Sequence, residues 1–519
     1  MKAGARYSDV DQTVRYTTYN WGMLSEVWGG NRPINFADVP QDQIAFYDFP
    51  NFFRGQVPGP PGGYYYTGDL INNYSGAVDF AHSIEDLYRA QNGNPTWNQL
   101  SDRQGVVAGT PYLPSEIQPL HQKDWAAYTQ INFASDGKLR FSGNIGVRWV
   151  STHIASSGVI GIGSTQALGL DQTFAQRCAP VTTPFNGTQV PGGVCRLGQA
   201  GYDALKAFVT NSTPVAETVK NHYDYFLPSL NLKFGVSDDI ILRFAASKVL
   251  TRPENAYIRD YFTAGVDLTG NLTASAGDPT LKPATAWQFD ATAEWYFARV
   301  GSISVDFFYK DIHNFFYQKV RTEQFVNDLG DSRDIIIRGP ANYNGHGKIK
   351  GFEIAYQQTF DFLPGLLSGF GLSANYTYID SSGLPNSFLN GGNNANVSPV
   401  PPGNLPLEQL SRHNVNVAGF YEKGPLSVRL AYNWRSKFLL TASDVIIPYF
   451  SIFNAATGQL DGSIFVNVTK QIKVGVQAVN LLNEVTKTLQ AYTGDPKLLA
   501  PRSYFMNDRR YSLIVRGSF

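Results

Sequence analysis

The chain has 519 residues, and its 42 basic and 42 acidic side chains leave no net charge at pH 7 when histidine is neutral. This balance gives no overall field that would attract a polyanion, so we expect no nucleic-acid partner. Charged residues make up only 16% of the sequence, whereas 29 Tyr, 34 Phe and 49 Gly predict a β protein with many turns rather than a helical enzyme.

No run of about 18 apolar residues occurs, so the sequence predicts no transmembrane helix. The first residues, MKAGARYSDVDQ, lack the apolar stretch of a secretory signal. A membrane β-barrel is compatible with the first observation, because its lumen face is polar and only every second strand residue contacts lipid.

Apolar and polar residues alternate in segments of about ten residues along the whole chain. Such segments include 138–149, 286–297, 351–360, 425–435 and 510–519. Because strand side chains point alternately to opposite faces, each segment predicts a strand with one apolar and one polar face. About ten residues is also the length with which a tilted strand crosses a bilayer.

Counted in chain order, these segments predict about fourteen strands. They lie near 3–19, 122–134, 138–154, 221–235, 240–252, 284–297, 301–318, 347–360, 369–380, 409–421, 425–438, 462–470, 472–483 and 505–519. The fold class is therefore predicted to be all-β, an antiparallel transmembrane β-barrel in which consecutive strands are neighbours.

Short and long connections alternate between the predicted strands. The short ones lie near 135–138, 236–239, 298–301, 361–369, 421–425 and 470–473. The long ones, predicted to lack regular structure, cover roughly 21–121, 155–220, 253–283, 321–345, 381–407, 439–461 and 485–504. Short periplasmic turns opposite long extracellular loops are typical of an outer-membrane barrel, whereas a soluble sandwich has no reason to sort its loops this way.

Cys178 and Cys195 share one segment rich in Pro and Gly, with no other cysteine in the chain. In an oxidising compartment we expect them to form a disulfide that closes an extracellular loop, and two free thiols are the alternative.

Five segments in order resemble the C-terminal barrel of TonB-dependent outer-membrane receptors. They are ASKVLTRPENAYIRDYF (246–262), GDPTLKPATAWQFDATAEWYF (277–297), GFE (351–353), AVNLLNE (478–484) and RRYSLIVRGSF (509–519). Leu-Thr-Arg-Pro at 250–253 looks like a strand-end motif of that family, and Asn480-Leu481-Leu482-Asn483 looks like its penultimate-strand motif. The resemblance is closest to the long receptors of Caulobacter-like and Xanthomonas-like bacteria.

The resemblance implies active uptake of a scarce nutrient, of the carbohydrate or siderophore class, across the cell outer membrane of a Gram-negative bacterium. It also implies a signal peptide, a TonB box, a plug domain and twenty-two barrel strands, and the sequence matches none of the first three. We therefore expect residues 1–519 to be the C-terminal portion of a receptor barrel, with the plug and the first strands missing. A complete fourteen-strand barrel is the alternative. Contact with the TonB–ExbB–ExbD complex is expected only through the missing N-terminal region, and lipid is the expected partner of the strands.

No catalytic motif or metal-ligand spacing occurs, so the sequence predicts neither an enzyme nor a metal site, and no cofactor. The seven histidines are scattered one per segment. A passive porin-like channel and a surface adhesion barrel remain open as alternative functions. The identity of the ligand stays open as well.

Aromatic and charged residues of the loops are the candidate ligand contacts. Tyr64, Tyr65 and Tyr66 follow a Pro- and Gly-rich stretch, and Trp97 lies in the same predicted loop. Aromatic faces suit the apolar faces of sugar rings, although tyrosines also pack against loop backbone. Arg259 and Asp260, just beyond the predicted strand end at Arg252-Pro253, are the polar candidates.

Overall fold

The structure is a computed structural model, and it describes part of the chain. The described residues are 1–17, 34, 37–55, 58–69, 71–90, 97, 99–137, 140–183, 187–267, 269–386, 405–444, 450–491 and 497–518. Within these ranges, no helix is both long enough and apolar enough to cross a membrane.

Fourteen strands form one antiparallel sheet in which every strand pairs with its neighbours in the chain. They are β1 (Lys2–Arg15), β2 (Ile117–Ser135), β3 (Arg140–Ile160), β4 (Val215–Gly235), β5 (Ile240–Thr251), β6 (Ala284–Ala298), β7 (Gly301–His313), β8 (His346–Thr359), β9 (Phe370–Ser382), β10 (His413–Lys423), β11 (Leu426–Arg435), β12 (Thr457–Asn467), β13 (Ile472–Val479) and β14 (Arg510–Gly517). The prediction of an all-β antiparallel wall of about fourteen strands is therefore confirmed. The last strand ends at Gly517, and Phe519 lies outside the described residues.

At the middle of the strands, the register places apolar side chains on one face of this sheet and polar side chains on the other. Ala291 of β6 lies opposite Phe307 of β7, which lies opposite Phe352 of β8. Directly opposite residues share a face, so these strands present one apolar face. Asp290 and Thr292 point to the other face, as the alternation in the sequence predicts. We call the apolar face the outward face and the polar one the inner face.

The connections between the fourteen strands alternate in length as predicted. Those at one end are short, for example 299–300 and 424–425, whereas those at the other end run to 16–116 and 161–214. We call these two ends of the wall the short-turn end and the long-loop end. The wall therefore has the asymmetry of loops that the sequence indicated.

The long connections contain regular structure of their own, which corrects the expectation that they are structureless. Their helices are α1 (Tyr74–Ala90), α2 (Phe174–Arg177), α3 (Gly198–Thr210) and α4 (Asn255–Ile258). Their short strands are Ile44–Tyr47, Gly63–Tyr66, Val181–Thr183, Gly187–Gln189, Phe262–Val266, Leu272–Ala276, Phe316–Val326, Ser332–Asn342, Phe438–Thr441, Ile452–Asn454, Val485–Ala491 and Leu499–Met506. Single 3-10 turns lie at Gln41–Gln43, Phe52–Gly55, Leu100–Asp102, Pro114–Glu116 and Gly193–Leu197, and one in a short connection at Gly365–Gly369. We call this structured material the loop layer.

The largest apolar core of the described residues lies in the loop layer. Tyr202 and Leu205 of α3 pack with Leu170 and with Ile335 and Ile337 of a four-stranded loop sheet. That sheet joins Phe262–Val266, Leu272–Ala276, Ser332–Asn342 and Phe316–Val326, which come from two different connections. Burial of these side chains among one another stabilises the loop layer.

Candidate functional site

The inner face of the wall carries a continuous set of amide, hydroxyl and charged side chains. Across β2 to β6 it forms a groove of about 630 Å³ that includes Asn144, Asn231, Arg243 and Asp290. The Asn231 side-chain amide donates to Asn144 Oδ1 at 3.0 Å. Arg243 donates from Nε and Nη2 to the two carboxylate oxygens of Glu294 at 2.6 and 3.2 Å. This surface suits water and hydrophilic solutes.

A second inner groove of about 500 Å³ crosses β7 to β11. Its lining includes Ser304, Gln357, Asn375, Asn416 and Arg429. Asn416 Nδ2 donates to Asn375 Oδ1 at 2.7 Å across the strand pair. Both grooves offer alternating donors and acceptors, which can exchange hydrogen bonds with a polyhydroxylated molecule as readily as with water.

The segment after β5 folds back over the inner face at the long-loop end. Arg252, in the strand-end motif, donates from Nε to Thr152 Oγ1 at 3.2 Å, and its Nη2 lies 2.9 Å from Asp124 Oδ1. Thr152 also donates to that carboxylate at 2.6 Å. Beyond it, Ile258 and Leu281 pack with buried residues of β2, β3 and β4. We call this packed segment, residues 252–262, the mouth segment.

Glycines allow the mouth segment to touch neighbouring backbone. A Cβ on Gly158 would lie 1.9 Å from the carbonyl oxygen of Asp260, and one on Gly277 would lie 1.8 Å from that of Arg259. Any other residue at either position would push the segment away. The close packing of the mouth segment therefore requires glycine at position 277. In the same Gly-Asp-Pro at 277–279, Asp278 Oδ1 accepts a hydrogen bond from the backbone N–H of Thr280 at 2.9 Å.

Arg259 and Asp260, the predicted polar contacts, are held within the mouth segment. Arg259 Nη1 donates to Gln118 Oε1 at 3.1 Å, and its guanidinium lies 4.9 Å from the centre of the Tyr261 ring. Asp260 is only 5% exposed, and its backbone N–H donates to Ser156 Oγ at 2.9 Å. Both residues therefore tie the mouth segment to β2 and β3.

The carboxyl group of Asp260 is strongly perturbed. Its Oδ2 is buried without a hydrogen-bond partner among the residues that the structure describes. Burial, and secondly the charge of Glu217, raise the pKa of Asp260 from 3.8 to about 6. Such a carboxyl group near a channel mouth is a candidate for contact with a ligand or a proton.

Glu116, at the base of another long connection, shows the opposite behaviour. Although burial raises its pKa, hydrogen bonds from Arg103 and from the backbone N–H of Leu113 outweigh that effect and lower it below the usual range. Arg103 Nη2 lies 2.7 Å from Glu116 Oε1, and Nη1 lies 2.8 Å from Oε2, which is a bidentate pair. This pair is structural and fixes the chain where it enters β2.

The four predicted aromatic contacts divide into two groups. Tyr64 and Tyr65 lie on a hairpin, are half exposed at 50% and 49%, and face solvent. Tyr66, in the same strand, instead stacks on Phe80 of α1 with ring centres 4.5 Å apart. Trp97 is 3% exposed and packs with Val78 and Ala81 of α1. This burial corrects the expectation that Trp97 offers a ring to a ligand, because packing against α1 occupies its faces.

The aromatic rings at the hairpin form two contact groups on its opposite faces, because adjacent strand residues point to opposite sides. The ring centre of Phe46 lies 5.4 Å from that of Tyr64. The ring centre of Tyr47 lies 6.3 Å from that of Tyr65 and 5.0 Å from that of Phe49. Phe46 and Tyr64 therefore lie on one face, and Tyr47, Phe49 and Tyr65 form a group on the other face, which we call the aromatic patch. Tyr47 and Phe49 come from the run IAFYDF at 44–49, whose aromatic residues are the sequence signal for this part of the patch. The patch and the mouth segment are separate substructures, so the predicted site residues do not form one site.

Cys178 and Cys195 are joined by a disulfide, with their Cα atoms 5.4 Å apart. Both are buried in the large core of the loop layer, next to α3. The bridge therefore lies in the connection between β3 and β4, at the long-loop end.

The motif Asn480-Leu481-Leu482-Asn483 forms a tight turn after β13. Asn480 and Asn483 have φ of 58° and 54°, in the left-handed region that asparagine tolerates better than most residues. Asn480 also receives the backbone N–H of Glu484 on its Oδ1 at 2.8 Å and donates to the carbonyl of Asp508 at 3.2 Å. This motif thus links the turn to the segment that precedes β14.

Comparison with known proteins supports the same architecture. The family model described as "TonB dependent receptor-like, beta-barrel" matches residues 2–481. A search of curated protein sequences gave no significant match.

Similar solved structures include three siderophore receptors. The siderophore receptor PirA from Acinetobacter baumannii is 12% identical over 78% of this chain and 55% of its own, with a TM-score of 0.43. The ferric-catecholate import receptor Fiu from Escherichia coli K12 is 13% identical over 78% and 45%, with a TM-score of 0.46. A mutant of the ferric enterobactin receptor PfeA from Pseudomonas aeruginosa, in complex with enterobactin, is 13% identical over 79% and 57%, with a TM-score of 0.46. The chain thus spans about half the length of these receptors.

Proposed function

The chain belongs to the TonB-dependent receptor-like β-barrel family, and from this premise we propose that it forms the barrel wall of a transporter for a scarce nutrient in the outer membrane of a Gram-negative bacterium. The observation that carries this proposal is the inner face, whose two grooves are lined by amides, hydroxyls and charged groups beneath a structured loop layer. An apolar outward face and a polar inner face suit lipid on one side and a hydrated solute path on the other. In this proposal the protein is a transport receptor and not an enzyme.

The open edges of the sheet favour a wall that is larger than fourteen strands. In the described part of the chain, β1 pairs only with β2, and β14 pairs only with β13. Unpaired backbone groups in hydrocarbon cost several kcal/mol each, so a membrane sheet has to close. We propose that both edges pair with further barrel strands, and that a plug and a TonB-contacting segment, which would couple uptake to TonB–ExbB–ExbD, lie outside these 519 residues.

The aromatic patch favours a ligand with ring faces and little charge. Between residues 37 and 69 the sequence has four Asp and one Arg, with no Lys. That arginine, Arg54, forms an ion pair with Asp508. A polyanionic ferric complex would need several free cations here, whereas a neutral oligosaccharide needs ring faces and hydroxyl partners. We therefore propose an oligosaccharide as the ligand class, with Tyr65 of the aromatic patch as a stacking residue and Tyr64 as a second one on the other face of the hairpin. A siderophore is the competing class.

Isothermal titration of the folded chain in detergent micelles tests this proposal. A panel of neutral oligosaccharides and ferric siderophores would be titrated into wild type and Tyr65→Ala. We expect an oligosaccharide to bind and Tyr65→Ala to weaken its binding at least about tenfold, because truncating an anchoring aromatic side chain to alanine costs about 2 kcal/mol or more. Phe505→Ala is the matched control, because Phe505 is an equally exposed ring on another loop hairpin.

Two outcomes would contradict the ligand assignment. Siderophore binding without oligosaccharide binding would replace the ligand class, and equal affinity of wild type and Tyr65→Ala would remove the aromatic patch from the site. A planar-bilayer measurement addresses transport itself. Steady conductance without any specific ligand binding would favour the passive channel over the receptor.

A further inference from the structure

Six of the seven histidines lie on wall strands near the long-loop end, all on the outward face. They are His121, His153, His222, His313, His346 and His413. The register pairs His153 directly with His222 and His313 directly with His346. The sequence shows them scattered one per segment, and only the pairing of strands brings them together.

One of these pairs has a carboxylate between its two imidazoles. Asp311 precedes His313 by two residues on β7, so both side chains share a face, and His346 of β8 lies opposite His313. Asp311 Oδ1 lies 2.8 Å from His346 Nδ1, and Asp311 Oδ2 lies 3.4 Å from His313 Nε2. The two rings are nearly parallel, with centres 5.5 Å apart.

These donor atoms have the spacing of metal ligands. One ligand atom from each of the three residues lies within 4.8 Å of the other two. Ligands about 2.0–2.2 Å from a tetrahedral zinc ion are separated by roughly 3.4 Å from one another. The three donor atoms are therefore close to this spacing, and they belong to partly or fully exposed side chains. Two imidazoles and one carboxylate also form a donor set that selects transition metals over calcium or magnesium.

The chain contains a second group of the same composition without this geometry. His222 and Asp224 are two residues apart on β4, and His153 lies opposite His222, with ring centres 5.7 Å apart. Within the described ranges, however, only Asp311, His313 and His346 bring three possible ligand atoms together. This second group is a natural control for nonspecific binding by paired histidines.

We propose that Asp311, His313 and His346 bind a divalent transition-metal ion of the zinc class on the outward face of the wall. Three protein ligands leave one tetrahedral position for water. Because the ligands come from β7 and β8, the ion joins two neighbouring strands at the long-loop end. Lys348 lies opposite Asp311, but the close contacts of this carboxylate are with the two imidazoles.

Equilibrium dialysis of the untagged full chain, folded in micelles and stripped with a chelator, tests the site with zinc alone. We expect one zinc ion per wild-type chain by elemental analysis. His346→Ala and Asp311→Asn should each weaken binding at least about tenfold, since even supporting residues of metal sites change affinity by 10–100-fold. His222→Ala should bind zinc like wild type. Cobalt, added instead of zinc, should give the visible absorption of tetrahedral coordination in wild type and lose it in Asp311→Asn.

Asp311→Asn keeps the shape of the side chain, so it remains informative if His346→Ala does not fold. Circular dichroism and heat-modifiable electrophoresis would establish folding of each variant. The proposal is overturned if wild type binds no zinc, if the Asp311 and His346 variants bind it as well as wild type, or if His222→Ala loses it equally. None of these outcomes depends on a transported nutrient. Failure of the metal-site proposal can therefore be distinguished from failure of the transport proposal.

Discussion

The wall and the loop layer differ in what surrounds their apolar side chains. In the wall, Phe289 and Phe307 of the outward face are half exposed, as expected of residues that face lipid. In the loop layer, Leu170, Tyr202 and Leu205 are buried among other side chains. The wall is thus held by its backbone hydrogen bonds and its lipid contact, whereas the loop layer has a core like that of a soluble domain. Substitutions should therefore have different effects in the two regions.

The loop layer should be sensitive to a cavity. Leu205 is 2% exposed in its core, so Leu205→Ala should destabilise the loop layer by about 2–5 kcal/mol through lost burial and a residual cavity. Leu329→Ala is the control, because Leu329 is 69% exposed in the same layer, and its effect should stay within about 0.5 kcal/mol. Hydrogen exchange resolved by region should show faster exchange in α3 and unchanged protection in the wall. Loss of protection throughout β3 to β8 would show that the two regions are not independent.

The wall should be sensitive to charge on one face only. Ala291 lies at the centre of β6 on the outward face, so Ala291→Arg should cost about 2–4 kcal/mol in a bilayer. Thr292→Arg, one residue further on the inner face, should cost less than about 1 kcal/mol. Denaturant unfolding in lipid vesicles would measure both. Equal costs for the two variants would contradict the assignment of the faces.

The mouth segment lies between the two regions, and Asp260 makes it sensitive to pH. The pKa of Asp260 in the folded protein, about 6, is higher than its ordinary value of 3.8. The folded state therefore holds the proton more tightly, and stability falls as pH rises from about 4 to about 6. Each pKa unit is worth about 1.4 kcal/mol, so the loss over this shift of about two units is on the order of 3 kcal/mol. Asp260→Asn should flatten this dependence, measured by denaturant unfolding at several pH values.

Glu254→Gln provides the control for that experiment. Glu254 is an exposed carboxylate at the start of the same mouth segment, so its replacement should leave the pH profile of wild type in place. If the stability of wild type does not fall over this pH range, or falls equally in Asp260→Asn, the carboxyl group of Asp260 is not buried in its protonated form.

The sequence predicted the wall well because lipid and water impose a period of two on every spanning strand. Trp287, Phe289 and Ala291 reveal their face without knowledge of any neighbour. The loop layer was not predicted, because most of its strands are short and its core joins segments far apart in the chain. Ile335 and Leu205, for example, meet in one core although they belong to different connections.

Only part of the candidate site was predicted, because the rest of it depends on contacts between segments that are far apart in the chain. Tyr64 and Tyr65 are exposed as expected, but the burial of Trp97 depends on its packing against α1, and composition does not encode that contact. The pairing of Arg252 with Asp124 and that of His313 with His346 depend on strand register. Register is a long-range property, and local patterns specify only which face a residue occupies.

We expect lipid to cover the outward face of the wall and water to cover the inner face. Nitroxide labels placed one at a time at residues 289–293 of β6, in protein reconstituted into bilayers, test this directly. Labels replacing Phe289, Ala291 and Ala293 should be accessible to oxygen dissolved in the lipid. Labels replacing Asp290 and Thr292 should be accessible to a water-soluble relaxation agent, so that accessibility alternates residue by residue. Alternation with the opposite phase, or uniform accessibility along the strand, would contradict the account.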